Sequence, residues 1–88
     1  MRLTGLYELR FMAGEHVLMP AGEALLSAAK PLVVDEVTAF VIGCLEDGPY
    51  EHDELLQKLL AEFDAPKDEA ESGLAVIEDS LLAGKIAQ

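Results

Sequence analysis

The sequence predicts an α+β fold, with a small antiparallel β-sheet of about three strands followed by three helices. Three observations carry that expectation. Apolar residues alternate with a period of two near the start of the chain and recur at helical spacing from Asp35 onward. Gly and Pro punctuate the chain at Ala13-Gly14, Gly48-Pro49 and Ala65-Pro66. The chain has 88 residues and is 51% hydrophobic, enough for one modest core and no more. With no internal repeat, low-complexity tract or linker, residues 1–88 are read as a single domain.

Between Leu6 and Met12, Tyr7, Leu9 and Phe11 alternate with Glu8 and Arg10, the pattern of a strand with one buried face. Ala13-Gly14-Glu15 breaks the run, and Gly14 can take the positive φ of a tight hairpin. His16 to Met19 is the return strand, stopped by Pro20. Gly22 to Lys30 is compatible with a helical turn or a further strand, and an extended or loop path is expected there. Pro31 opens Leu32-Val33-Val34, a short apolar, β-branched run that reads as the last strand.

Asp35 is a good N-cap for the first helix, whose apolar stripe is Val37, Phe40, Val41, Cys44 and Leu45 and which Gly48-Pro49 ends. A second helix, about His52 to Phe63, should bury Leu55, Leu56, Leu59, Leu60 and Phe63, with Tyr50 stapled across its start. Pro66 suits the first position of a third helix. That helix has Ala70, Leu74, Ile77 and Leu81 as its core stripe and Gly84 as its C-cap. Such an order is winged helix-turn-helix-like.

The balance of charge is acidic: 17 Asp plus Glu against 6 Lys plus Arg give a formal net charge of −11. A nucleic-acid duplex would be repelled by this surface. Cys44 is the only cysteine, so no internal disulfide can form, and neither can a thiolate-rich zinc site. The start of the chain does not resemble a signal peptide, and no apolar run is long enough to span a membrane; a cytoplasmic location is expected.

Little in the sequence carries reaction chemistry. His16 and His52 have no second ligand at metal spacing, and structural or solvated roles are expected for both. Cys44 reads as a small core filler, with no adjacent His, Lys or Arg to stabilise a thiolate. Glu62, Asp64, Asp68, Glu69 and Glu71 flank a helix start, where the helix dipole favours them. No phosphate loop or nucleophile elbow is present, so neither catalysis nor a cofactor is expected.

The stretch from Leu9 through Arg10, Gly14, Glu15 and Pro20 to Ala24, followed by Leu32-Val33-Val34-Asp35-Glu36-Val37-Thr38-Ala39-Phe40, resembles PqqD-like proteins. The likeness continues through Asp53-Glu54-Leu55-Leu56 and Phe63-Asp64 to Leu81-Leu82-Ala83-Gly84-Lys85-Ile86 and so covers nearly the whole chain. Val34-Asp35 replaces the family's usual Leu-Asn, and Val37-Thr38 replaces Thr-Gly. The resemblance implies a recognition domain for ribosomally made, post-translationally modified peptides. Such a domain binds the leader of a precursor peptide and works beside a modifying enzyme, often a radical SAM maturase. It further implies that the leader adds as a strand to the last strand of the sheet and lies against the third helix.

The residues at those two places suit that role. Leu32, Val33 and Val34 form a short, uncharged strand whose edge could pair with an extended peptide. On the third helix, Gly73, Val76 and Ser80 lie at i, i+3, i+7, two small residues around an apolar one. They could form a shallow trough for a leader's Leu or Ile; equally, Gly73 could let two helices pack closely and Val76 could be core. The alternative function is a winged-helix DNA-binding domain reading a groove with the third helix. Charge opposes it, since that helix sets Lys67 against Asp68, Glu69, Glu71, Glu78 and Asp79.

Overall fold

In the computed structural model, which describes residues 1–27 and 29–88, the alternating segment forms β1 (Tyr7–Met12) and returns as β2 (Glu15–Pro20). Only Ala13 and Gly14 form the turn between them, with φ of +52° and +80°. Positive φ at both central residues is the mark of the type I′ turn, whose twist matches that of the strands. Glu15, expected in the turn, is therefore the first residue of β2, paired with Met12. The strand stops at Pro20 as expected, with Pro20 as its last residue, opposite Tyr7, rather than the first one beyond it.

Within Gly22 to Lys30 the expected extended or loop path holds at Ala29 and Lys30 but not at Glu23–Leu26, where the helical turn that the residues also allowed is the one formed. Glu23–Leu26 is a one-turn helix, α1, started by Ala24 N–H donating to Ala21 C=O at 3.1 Å and Leu25 N–H to Gly22 C=O at 3.2 Å. Ala24, 6% exposed, anchors the turn in the core, and that one buried contact together with good helix formers outweighs the extended neighbours. Ala28, within the same expectation, lies outside the described residues.

Strand β3 (Leu32–Val34) pairs antiparallel with β2 through His16↔Val34, Val17↔Val33 and Leu18↔Leu32. The sheet order is β1-β2-β3, so β3 stands at one edge and β1 at the other.

Three longer helices follow. In α2 (Glu36–Glu46) the Asp35 carboxylate accepts the Thr38 N–H at 2.7 Å, the expected N-cap. Its buried face is Ala39, Val41, Ile42 and Leu45. The stripe is thus turned by about one residue step from the one expected, and Val37, Phe40 and Cys44 fall on its flank. Helix α3 (His52–Glu62) buries Leu55, Leu56 and Leu59, while Leu60 and Phe63 are half-buried. Its start is secured by the Glu54 carboxylate, which accepts the Glu51 N–H at 2.9 Å.

Pro66 is the N-cap of α4 (Lys67–Ala83), not its first helical residue, and Gly84 is the C-cap. Gly84 has φ −83°, and the left-handed conformation falls on Lys85 at +58°. Space is what demands glycine at 84: a Cβ there would stand 3.3 Å from both the Ile86 side chain and the Ser80 carbonyl oxygen.

The core is built from Leu18 on the central strand, Val41 and Ile42 on α2, Leu55 on α3, and Leu74 and Leu81 on α4, each 2% exposed or less. Burial of each contributes about 1.5–3 kcal/mol. The chain ends close over this core. Arg2 N–H donates to Gln88 C=O at 2.9 Å, Gln88 N–H to Arg2 C=O at 2.8 Å and Thr4 N–H to Ile86 C=O at 3.0 Å. No periodicity in the sequence announces that clasp.

Candidate peptide-binding edge and groove

The free groups on β3 follow from the hairpin. Met12 and Glu15 bracket a two-residue turn and so exchange both backbone hydrogen bonds. Ala21 N–H donates to Leu6 C=O at 2.8 Å in the same phase. Glu15, Val17 and Met19 therefore direct their N–H and C=O groups to β1, and His16 and Leu18 direct theirs to β3. Their partners Val34 and Leu32 are bonded inward, which turns the N–H and C=O of Val33 outward. Among the described residues no other backbone group takes up those two. Pro20, in the β3-facing phase beyond the last β2–β3 pair, has no N–H to leave unsatisfied.

Side chains along this edge are apolar and accessible. Val33 is 64% exposed and Leu32 41%, while Val34 is half-buried against the core. Three positions beyond Val34, Val37, the second residue of α2, lines a hollow of about 380 Å³. Leu59 and Phe63 of the α3 region, Ala65 of the loop that follows, and Ala70, Gly73 and Leu74 of α4 form the rest of its apolar wall, and among the described residues Glu69 is the only charged one on it.

Of the residues the sequence singled out on α4, the structure brings Gly73 into this hollow. Val76, 65% exposed, and Ser80 are on the surface of α4 but outside the hollow's lining. Close helix packing is not the reason for Gly73, because a Cβ there would meet nothing within 4 Å. Nor is Val76 core. Sequence reasoning missed Val37, Phe63 and Ala70 as wall residues by assigning all three to the core. A signal was available for Val37: a first-turn residue has no preceding turn of its own helix to cover it.

Electrostatics around the groove are simple. The Thr38 N–H holds the Asp35 carboxyl below the usual carboxylate range. Burial pushes the Cys44 thiol up, partly opposed by the charge of Lys58 on α3, a cation that the expectation of no adjacent Lys left out because the two residues meet only in the fold. His52 is raised by its hydrogen bond to Glu78. His16 lies beside Phe11, ring centroids 4.9 Å apart. Among the described residues no polar or charged residue is buried, no group of three or more His, Cys, Asp or Glu could hold a metal ion, and no helix is long and apolar enough to cross a membrane. An arrangement of this kind can bind an extended apolar segment.

Neither a family model nor a curated protein matches the chain. Solved structures do share its fold. TbiB1 in complex with the TbiA(beta) leader peptide superposes with a TM-score of 0.78 at 18% identity, over 100% of this chain and 95% of that one. Lasso peptide synthetase B1 complexed with the leader peptide superposes with a TM-score of 0.75 at 20% identity, over 99% of this chain and 95% of that one.

Proposed function

We propose that this chain is a non-catalytic recognition domain that binds the leader segment of a ribosomally made precursor peptide and presents it to a separate modifying enzyme. The observation that carries the reading is the outward N–H and C=O of Val33 together with the apolar hollow that begins at Val37. An extended segment gains main-chain hydrogen bonds at the first, and one of its Leu, Ile or aromatic side chains is buried in the second. Each such side chain contributes about 1.5–3 kcal/mol, so two or three give micromolar affinity after the costs of association.

Both fold neighbours above were solved with a leader peptide, which supports the reading, as does the resemblance to PqqD-like proteins. One neighbour is named lasso peptide synthetase B1, which favours lasso peptide synthesis as the setting of the enzyme served; a radical SAM maturase is the second reading, implied by the PqqD-like resemblance. The acidic surface would speed encounter with a basic face of that enzyme. A cytoplasmic location fits a domain that takes up a ribosomally made peptide. Groove reading of DNA is disfavoured by Asp68, Glu69, Glu71 and Asp79 on the exposed side of α4.

The test is titration of the isotope-labelled chain with synthetic leader segments from a short precursor encoded beside its gene. Amides of Leu32 to Val34, Val37 and Gly73 to Ser80 should shift together and saturably. Shifts confined to the exposed side of α3, or saturable shifts on α4 with duplex DNA alone, would overturn the proposal.

A further inference from the structure

The opposite edge of the sheet is longer and equally open. Because Glu15, Val17 and Met19 bond to Met12, Arg10 and Glu8, the alternation turns the N–H and C=O groups of Tyr7, Leu9 and Phe11 outward from β1. Among the described residues no backbone group outside the sheet bonds to any of the three. An open cleft of about 420 Å³ runs beside them, lined by Tyr7, Glu8, Leu9 and Arg10 of the strand and by Leu3, Ile42 and Glu46. Phe11, 67% exposed, is a large apolar side chain at this edge that its own chain leaves largely uncovered.

The order of residues along that edge is self-complementary. Read outward from Leu9, Tyr7-Glu8-Leu9-Arg10-Phe11 runs aromatic, acid, aliphatic, base, aromatic. A second copy laid antiparallel and centred on Leu9 sets Leu9 against Leu9, Tyr7 against Phe11 and Glu8 against Arg10, each of the unlike pairs twice by the two-fold symmetry. In that register the residues with outward backbone groups, at 7, 9 and 11, face one another and exchange both hydrogen bonds. Glu8 and Arg10 fall at the intervening positions, where side chains approach most closely. Within one copy Arg10 already holds Glu8 at 2.8 Å, both side chains 58% exposed, so the strand carries no net charge into the contact although the whole chain is at −11.

From this coincidence of backbone phase, charge order and uncovered aromatic surface, we infer that β1 pairs with β1 of a second copy of this chain, in register about Leu9, joining two sheets into one of six strands. Closing the edge removes a template for unspecific strand pairing. It leaves both β3 edges at the far ends, so the inference does not depend on leader binding and does not compete with it. The contact is small, and the association belongs to the weak class.

Sedimentation equilibrium of the full chain over a range of concentrations tests the pairing. A reversible monomer–dimer equilibrium is expected, with Kd between roughly 10 μM and 1 mM. Arg10→Glu alone and Glu8→Arg alone each set like charges opposite one another twice, and each should weaken self-association about tenfold or more. An equimolar mixture of the two variants has only opposite charges across the strands and should form a heterodimer at least as tight as the unaltered dimer. Both side chains are exposed, so far-UV circular dichroism should find the folds unchanged. A chain that stays monomeric to about 1 mM would overturn the inference. So would single variants that associate like the parent, a mixture no tighter than its components, or a leader segment whose binding shifts the amides of Leu9 and Phe11.

Discussion

The imidazole Nδ1 of His52 lies 2.6 Å from Oε1 of Glu78, joining the first turn of α3 to the middle of α4. Glu71, one of whose carboxylate oxygens is 3.7 Å from Nε2, adds to the negative field around the ring. The protonated imidazole is favoured in the folded chain, above its ordinary value of 6.5. The contribution to stability is therefore complete below the unfolded value and is lost as pH rises through the higher folded one. The His52 side chain is 36% exposed, so water screens the pair and the effect is less than about 1 kcal/mol. Urea midpoints measured at about pH 5.5 and about pH 8.5 should differ more for the parent than for His52→Gln. Equal differences would show that the pair does not couple α3 to α4 in solution.

Ala13 holds φ +52° in a turn that suits Asn or Gly at that position. A left-handed conformation costs an ordinary residue about 1–2 kcal/mol, and Asn, whose short polar side chain bonds locally, tolerates it better. Ala13→Asn should raise stability by about 0.5–1 kcal/mol, seen as a higher urea midpoint at unchanged slope. Ala13→Val should lower it. Should Asn fail to stabilise, the turn in solution does not have the left-handed geometry described.

Gly73 separates stability from binding. Its missing Cβ faces open space, so Gly73→Ala should stabilise the helix by up to about 1 kcal/mol with the fold unchanged. Gly73→Leu would place its side chain in the 380 Å³ hollow that a leader residue is proposed to fill. Losing the burial of one such residue should weaken leader binding about tenfold to a hundredfold, by calorimetry, while thermal stability is kept. Equal affinity in a folded Gly73→Leu chain would remove the hollow from the binding site.

What could be read from the residues was whatever depends on local periodicity and punctuation. The hairpin turn at Gly14, the cap at Asp35, the buried Leu55, Leu56, Leu59, Leu74 and Leu81, and the edge strand Leu32–Val34 are all of that kind. The rotation of the α2 stripe toward Ile42 was not legible, because Val37, Phe40 and Ile42 are equally apolar and only the placement of the sheet decides which faces inward. The one-turn helix at Glu23–Leu26 hung on the single buried contact of Ala24, a tertiary effect. The pairing of Arg2 with Gln88 joins opposite ends of the chain and leaves no local mark at all. Half of the groove was equally hidden. Gly73 stood out as an unusual residue in a helix, whereas Val37 and Phe63 have the apolar spacing of core residues and line the hollow only because of how α2, α3 and α4 are placed.

Two prolines, one residue apart, can decide whether a leader adds to β3 as a strand. Leu32 directs its N–H to Leu18 in the β2–β3 ladder, and Val33 directs its own away from the sheet. Leu32→Pro should therefore break an internal bond and lower stability, with any loss of binding following from damage to the fold. Val33→Pro removes only the outward donor and, being on an edge strand preceded by a residue already extended, should leave the urea midpoint nearly unchanged. A leader segment paired there would lose one hydrogen bond, worth about 0.5–1.5 kcal/mol, or about two- to tenfold in affinity, and would meet the proline ring as well. Val33→Thr, which keeps the donor and nearly the same shape, should bind like the parent. A Val33→Pro chain that is stable and binds the leader unimpaired would mean that side chains in the hollow hold the peptide and that the backbone of β3 takes no part.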